Sequence, residues 1–343
     1  MRGARDRHEG TGLHGNASKE RLMKKALSGP FPLLVTPWTE DAKLDTAVLV
    51  KEARYVASFN VGGIIWPTAG EVLWNLSTEE YEAGIRALAA VKETPRLIAT
   101  CPGKTSAEAL GRAALVQCIA DETGACMGLL ARMPDDAADQ AAIEAHYRAL
   151  AGVVRMPVVI QTFNDGKSPQ PDVEALVRLA RDYPAIYGYV KEESPGGKVN
   201  ARMAELLKHP EIKTVLSGFG AKAWMFQGTK IGTDGVISQR PAYASLFVRI
   251  YALMKEGRQS DDPELAGTYA KYLYMCNLGD TFGENDGMMR GPHLHVLQKL
   301  GIFRNRLTRD GDGNLSDYPM TDAEKREVEQ RMRYCGLLPE EEQ

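Results

Sequence analysis

Long apolar runs are missing from this sequence. No hydrophobic stretch approaches the ~20 residues that span a bilayer, so no membrane-crossing helix is expected. A surplus of one charge is missing too: 42 Lys and Arg stand against 45 Asp and Glu, a formal net charge of −3. That balance leaves no electrostatic footprint for nucleic acid or an anionic membrane. Cysteine is scarce, with five residues at 101, 118, 126, 276 and 335 and no paired spacing. An odd, scattered set reads as reduced thiols, mostly core filler, and argues against a disulfide framework. The first 28 residues are basic and polar and lack the apolar middle of a secretory signal. They read as a flexible arm with a short helix at 19–27, and a cytoplasmic location is the expectation.

What remains is an ordinary globular composition, 44% hydrophobic and 25% charged over 343 residues, enough for a full core. Short β-branched runs occupy 31–37, 61–67, 96–101, 125–131, 157–163, 186–191, 213–217 and 232–238. Helical patterns separate them; Leu49, Ala53, Val56 and Ala57, for example, share one face at spacings of three and four. Ser77 with Glu80, Thr105 with Glu108 and Thr321 with Glu324 read as capping boxes opening helices. Strands alternating with helices predict parallel pairing through right-handed crossovers. Eight such units match a closed (β/α)8 TIM barrel of the α/β class. A doubly wound open sheet is the alternative, without its Gly-rich dinucleotide fingerprint. The expected organisation is an arm at 1–28, the barrel at 29–258, and a C-terminal helical extension at 259–343. The eighth barrel helix is expected at 242–256; within the extension, helices are expected at 263–278 and 287–300, with a last one ending at Cys335-Gly336.

Barrel chemistry belongs at the carboxyl ends of the strands. The sixth strand ends in Lys191, and Tyr187, Tyr189 and Lys191 alternate with Ile186, Gly188 and Val190. A lysine facing the interior is costly to bury charged, and burial favours its neutral, nucleophilic amine. A strand-end lysine whose tip reaches solvent is the plainer reading of that residue alone. The second strand leads into Pro67-Thr-Ala-Gly-Glu71, a turn before a helix that could offer backbone N–H groups and the Thr68 hydroxyl to a carboxylate. An amine and a carboxylate seat together fit a 2-oxo acid, in which a ketone adjoins a carboxylate.

Five segments in register, Leu34-Val-Thr-Pro37, Pro67-Thr-Ala-Gly-Glu71, Tyr189-Val-Lys-Glu192, Leu216-Ser-Gly218 and Gly235-Val-Ile-Ser238, resemble the dihydrodipicolinate synthase / N-acetylneuraminate lyase superfamily. The resemblance runs from about residue 29 to the end. It implies a class I lyase that forms a Schiff base on a TIM barrel without metal or organic cofactor, assembled as a homo-oligomer, dimer or tetramer. It implies Lys191 as the imine-forming lysine and Thr68, Ala69 and Gly70 as the carboxylate-binding turn. Gly218 and Ile237 are the further substrate-binding candidates it marks. The chain departs from the pattern where the family's proton-shuttling tyrosine stands, which is Gln161 here. The family's nearby arginine falls at Gly166 and Lys167, and Arg132-Met-Pro-Asp135 replaces an aromatic pair. An amide cannot cycle a proton as a phenol does, so a substrate hydroxyl, a water held by Gln161, or a carboxylate such as Glu193, of the same parity as Lys191, is the substitute. The expectation is therefore an aldolase or dehydratase acting on a 2-oxo acid, such as a 2-oxo-3-deoxy sugar acid, rather than a dihydrodipicolinate synthase. The alternative is a barrel that binds such an acid without turnover. His293-Leu-His295 lacks a third metal ligand, Asp310-Gly-Asp-Gly-Asn314 lacks the later residues of a calcium loop, and His146 reads as a packing residue.

Overall fold

In the computed structural model the described residues are 27–162, 169–194, 197–218, 222–238, 240–282, 291–317 and 319–339. The expected helix at 19–27, apart from Leu27, lies outside them, as do Gly166 and Lys167. Eight strands form the centre: β1 (Gly29–Pro32), β2 (Ile64–Trp66), β3 (Leu97–Thr100), β4 (Met127–Arg132), β5 (Val158–Gln161), β6 (Tyr189–Glu192), β7 (Thr214–Ser217) and β8 (Gly235–Ser238). All pair in parallel, with β1 beside β8 and the remaining strands in sequence order back to β2. A parallel bridge from Leu33 to Ile65 closes the circle, and Leu34 donates its N–H to the Ile65 carbonyl at 2.8 Å. The protein is a (β/α)8 barrel with a C-terminal helical extension.

The strands are shorter than their apolar runs. The first run continues through Leu34, Val35 and Thr36, all buried, although the regular ladder stops at Pro32. Apolar sequence reports burial, and burial outlasts strand pairing where a loop folds under neighbouring elements.

The crossover helices are α1 (Thr46–Ala57), α2 (Thr78–Ala89), α3 (Ser106–Thr123), α4 (Gln140–Val153), α5 (Val173–Asp182) and α6 (Val199–Leu206). Between β7 and β8 a full helix is replaced by α7 (Trp224–Phe226) and a π-type turn, Gln227–Ile231. After β8 come α8 (Ala244–Lys255), α9 (Pro263–Cys276), α10 (Leu278–Thr281), α11 (Pro292–Lys299) and α12 (Asp322–Tyr334). The expected single helix at 263–278 thus breaks at Asn277. An unexpected hairpin, β9 (Leu307–Arg309) with β10 (Leu315–Asp317), is closed by the 310–314 turn. There the Asp310 carboxylate accepts the N–H groups of Asp312 and Asn314, so the calcium-like motif is a polar turn. The boxes at Ser77 and Thr321 form in full. Thr105 caps α3, but the Glu108 carboxylate accepts from Lys104 N, not from Thr105 N, so that box is half made.

One apolar layer fills the barrel: Phe31, Leu33, Ile65, Ile98, Leu130, Val159, Tyr189, Leu216 and Ile237. A second lies between strands and helices, and a third sits under the C-terminal helices around Trp224, Tyr243, Phe247 and Tyr272. Tyr187 corrects the expected alternation. It belongs to the outer layer, its hydroxyl donating to the Tyr147 carbonyl of α4, while Tyr189 faces inward. Gly188, at φ +108°, resets the parity between them. A Cβ there would lie 2.8 Å from the Glu211 carbonyl oxygen. Gly188→Ala is therefore expected to cost ~1–3 kcal/mol of stability through backbone strain, read from urea denaturation midpoints.

Candidate active site

Alternation along each strand decides what the mouth of the barrel contains. Leu130, Val159 and Tyr189 are interior, so Arg132, Gln161 and Lys191, two residues further along adjacent strands, also project inward. Strand register sets them in one row: Arg132 pairs with Gln161, and Gln161 with Lys191. This row lies at the carboxyl ends of the strands, the end where barrel enzymes carry their chemistry.

Lys191 is 5% exposed, too enclosed for its amine to sit in bulk water. Its Nζ lies 2.9 Å from Glu193 Oε1. The other oxygen of that carboxylate, Oε2, accepts from Gln161 Nε2 at 2.7 Å. Glu193 is just past the end of β6, and two local features hold it in place. The Thr162 hydroxyl accepts the Glu193 N–H while itself lying 3.3 Å from the Lys191 carbonyl. The Glu193 side chain also lies against the Cα of Gly218, where a Cβ would fall 2.2 Å from its Cγ and 2.4 Å from Oε1. Gly218 thus acts by leaving room for a carboxylate. Glu192, adjacent in sequence, faces the other way: it is fully buried and accepts from Ser194 N at 2.9 Å and Arg202 Nε at 3.3 Å. Arg132 is ion-paired with Asp135. Ile237 packs in the apolar layer inside the barrel, opposite Phe31 in register.

The 68–70 turn begins after a cis Trp66–Pro67 peptide. Thr68 and Glu71 satisfy each other: Thr68 N donates to Glu71 Oε2 at 2.9 Å, and Glu71 N donates to Thr68 Oγ1 at 3.1 Å. The N–H of Thr68 is therefore committed locally. The N–H groups of Ala69 and Gly70 fall in a first helical turn, where no intrahelical acceptor exists. They and the Thr68 hydroxyl are the donors a ligand carboxylate could use. Burial pushes the Glu71 carboxyl up from its ordinary range, against hydrogen bonds from Thr36 and Thr68 that favour its charged form. Behind it, Glu52 of α1 is fully buried; its Oε1 accepts from Val35 N at 3.2 Å, while Oε2 has no partner. Burial first, then the nearby Glu71, raises its pKa well above the usual range.

Residue identity alone did not single out Thr162, Gly218's role as a spacer, or Glu52. Glu52 left a readable trace, a carboxylate three residues from Leu49 on the apolar face of α1. The other two depend on which strand ends face each other. The three histidines are enclosed: His146 contacts Ser106 Oγ at 2.8 Å, and His293 and His295 are buried on α11. Among the described residues no group of three or more His, Cys, Asp or Glu could hold a metal, and no helix is long and apolar enough to cross a membrane.

Fold and site together describe a (β/α)8 barrel with an enclosed lysine–carboxylate pair at its mouth. A family model described as the dihydrodipicolinate synthetase family matches residues 26–271. The chain belongs to that family, and with it to the class I, pyruvate-dependent lyase superfamily. It is 30% identical over 323 residues to the 4-hydroxy-tetrahydrodipicolinate synthase of Chlorobium phaeovibrioides, covering 92% of this chain and 100% of the relative. The enzyme of that name from Chlorobium limicola is 26% identical over 320 residues, with the same coverage. Among solved structures, dihydrodipicolinate synthase from Aquifex aeolicus superposes with a TM-score of 0.71 at 21% identity, covering 90% of this chain and 98% of that one. N-acetylneuraminate lyase from Fusobacterium nucleatum has the same TM-score and coverage at 17% identity, a likeness of fold.

Two outcomes follow. Gly218→Ala pushes the flexible Glu193 side chain aside rather than unfolding the barrel. Turnover should fall by about 10²-fold, as for a displaced reacting group, with the melting temperature nearly unchanged. Glu52 makes stability fall as pH rises. At acid pH both folded and unfolded chains carry its proton; through the ordinary carboxylate range the unfolded chain ionises while the buried group stays neutral. Glu52→Gln should flatten that part of a denaturation-versus-pH curve.

Proposed function

We propose that the protein is a Schiff-base lyase acting on a 2-oxo acid, with Lys191 as nucleophile, Glu193 as proton carrier and Gln161 holding Glu193 in place. The observation that carries this reading is the Glu193 carboxylate, 2.9 Å from an enclosed lysine nitrogen and braced by Gln161 at 2.7 Å. The substrate carboxylate sits on Thr68, Ala69 and Gly70. Glu193 takes a proton from the Lys191 ammonium, and the free amine adds to the ketone carbon. The resulting hydroxyl gains a proton and leaves as water, giving a protonated imine. That imine accepts the electron pair released at C3. In aldol cleavage the C3–C4 bond breaks as the C4 hydroxyl proton passes to Glu193, releasing a carbonyl fragment and leaving an enamine, whose C3 then takes that proton back from Glu193 to give the imine of pyruvate. In dehydration Glu193 removes a C3 proton and then returns it to the departing C4 hydroxyl, which leaves as water. Water finally hydrolyses the imine and returns Lys191.

Gln161 in place of a phenol supports an aldolase or dehydratase over a dihydrodipicolinate synthase, since an amide positions but does not cycle a proton. The reading keeps residues 29–258 as the catalytic barrel, 259–343 as its helical extension, and a homo-oligomer as the working form. The ion pair itself favours a second reading, because an ammonium held on Glu193 cannot attack a ketone: a barrel that binds the acid without turnover.

Borohydride trapping separates the two. Incubation with pyruvate or longer 2-oxo acids should add a covalent mass to the peptide bearing Lys191; no adduct across a panel of oxo acids would sink the lyase reading. Glu193→Gln should still trap the imine on prolonged incubation but turn over ~10²–10⁴-fold more slowly, the range for a lost general acid–base.

A further inference from the structure

A second cluster of polar side chains lies beyond β8, outside the lysine site. Arg240 follows that strand by two residues and is 6% exposed, yet its guanidinium makes no hydrogen bond or ion pair among the described residues. Nε and Nη1 are both buried and unpartnered. A guanidinium stays charged at any working pH, and an unpaired buried charge is among the costliest features a fold can carry. Asp280 of α10 acts on it electrostatically, less than Cys276, Tyr272 and Tyr243 do, and is not ion-paired with it.

Arg240 opens onto a small recess between the β8 loop and α11, shared with His293 and Tyr243 and walled by Val35, Pro241 and Leu297. His293 Nδ1 contacts Tyr243 Oη at 2.7 Å, a shorter contact than the 3.4 Å from that phenol to the Met275 carbonyl. With the phenol turned to Nδ1, the ring proton sits on Nε2, which is buried without a hydrogen-bond partner among the described residues. Burial pushes the His293 pKa well below its ordinary value, so the ring is a neutral donor. The recess thus holds the guanidinium's fork of N–H donors beside the His293 ring, with no acceptor for that fork among the described residues. In (β/α)8 barrels, loops after the seventh and eighth strands recurrently bind phosphate.

We propose that Arg240 and His293 form a binding site for a small oxyanion, a carboxylate or phosphate group. Its source is either the far end of a dicarboxylic or phosphorylated substrate or a free anion. The site stands on Arg240 and His293 alone and does not require the Lys191 chemistry.

Thermal unfolding of the full chain, at fixed ionic strength in chloride, tests it. Millimolar phosphate or malonate should raise the melting temperature of the wild type saturably above the chloride reference. Arg240→Met should raise the melting temperature without oxyanion, because it removes an uncompensated charge, and should abolish the response. Arg240→Lys, which keeps the charge but not the fork, should need at least tenfold more anion for half-saturation. A flat wild-type response, or a response that survives Arg240→Met, overturns the proposal. If Arg240→Met does not fold, an unchanged half-saturation in Arg240→Lys overturns it equally. Competition of phosphate with the 2-oxo acid in steady-state kinetics identifies the substrate's far end as the source; stabilisation without competition identifies a free anion.

Discussion

An ammonium enclosed at the mouth of a barrel must be given a counter-charge, and here one carboxylate supplies it. The Lys191–Glu193 contact organises the neighbourhood: Gln161 braces the far oxygen, Thr162 anchors the backbone, and Gly218 makes room for the side chain. In a low-dielectric pocket each of these contacts matters more than it would in water. Removing either charged partner leaves the other stranded, which is why the pair and its supports behave as one unit. In the proposed mechanism the same carboxylate takes the lysine's proton when a substrate binds.

The barrel makes this possible through a simple rule, the two-residue period of strands. Tyr189 and Lys191 share the interior face, so an apolar layer sits directly beneath the reactive one. The 68–70 turn stands at another strand end of the same rim, backed by Glu71 and, deeper, by the buried Glu52. The Arg240 recess lies after β8 on that rim too. One end of the barrel thus collects an amine, a paired carboxylate, a turn of backbone donors and an unpaired guanidinium, all polar functions kept out of the filled interior.

Much of this was legible beforehand. Eight β-branched runs separated by helical periods require a parallel closed sheet once short connections and crossover handedness are imposed. Lys191 stood out as a charge on a strand face whose other members are apolar or aromatic. Glu193 followed from parity, although the regular strand stops one residue earlier. Other features were illegible for definite reasons. Tyr187 was assigned to the wrong face because a positive-φ glycine resets the alternation, and sequence shows the glycine but not its φ. The helix before β8 shrank to a few residues, and Asn277 broke a helix whose apolar period continued past it, because packing of the extension overrode local propensity.

What the sequence by itself determined is the period of each segment, and with it the barrel, its inward faces and the lysine at a strand end; these depend on local spacing and on the universal need to bury apolar surface. What only the tertiary structure decided is who faces whom. Glu193 reaches Lys191 because Gly218, just past the end of the next strand, has no side chain, and Arg240 ends up buried beside His293, more than 50 residues away, without a counter-charge among the described residues. Such pairings join residues far apart in the chain, and nothing in local spacing encodes them.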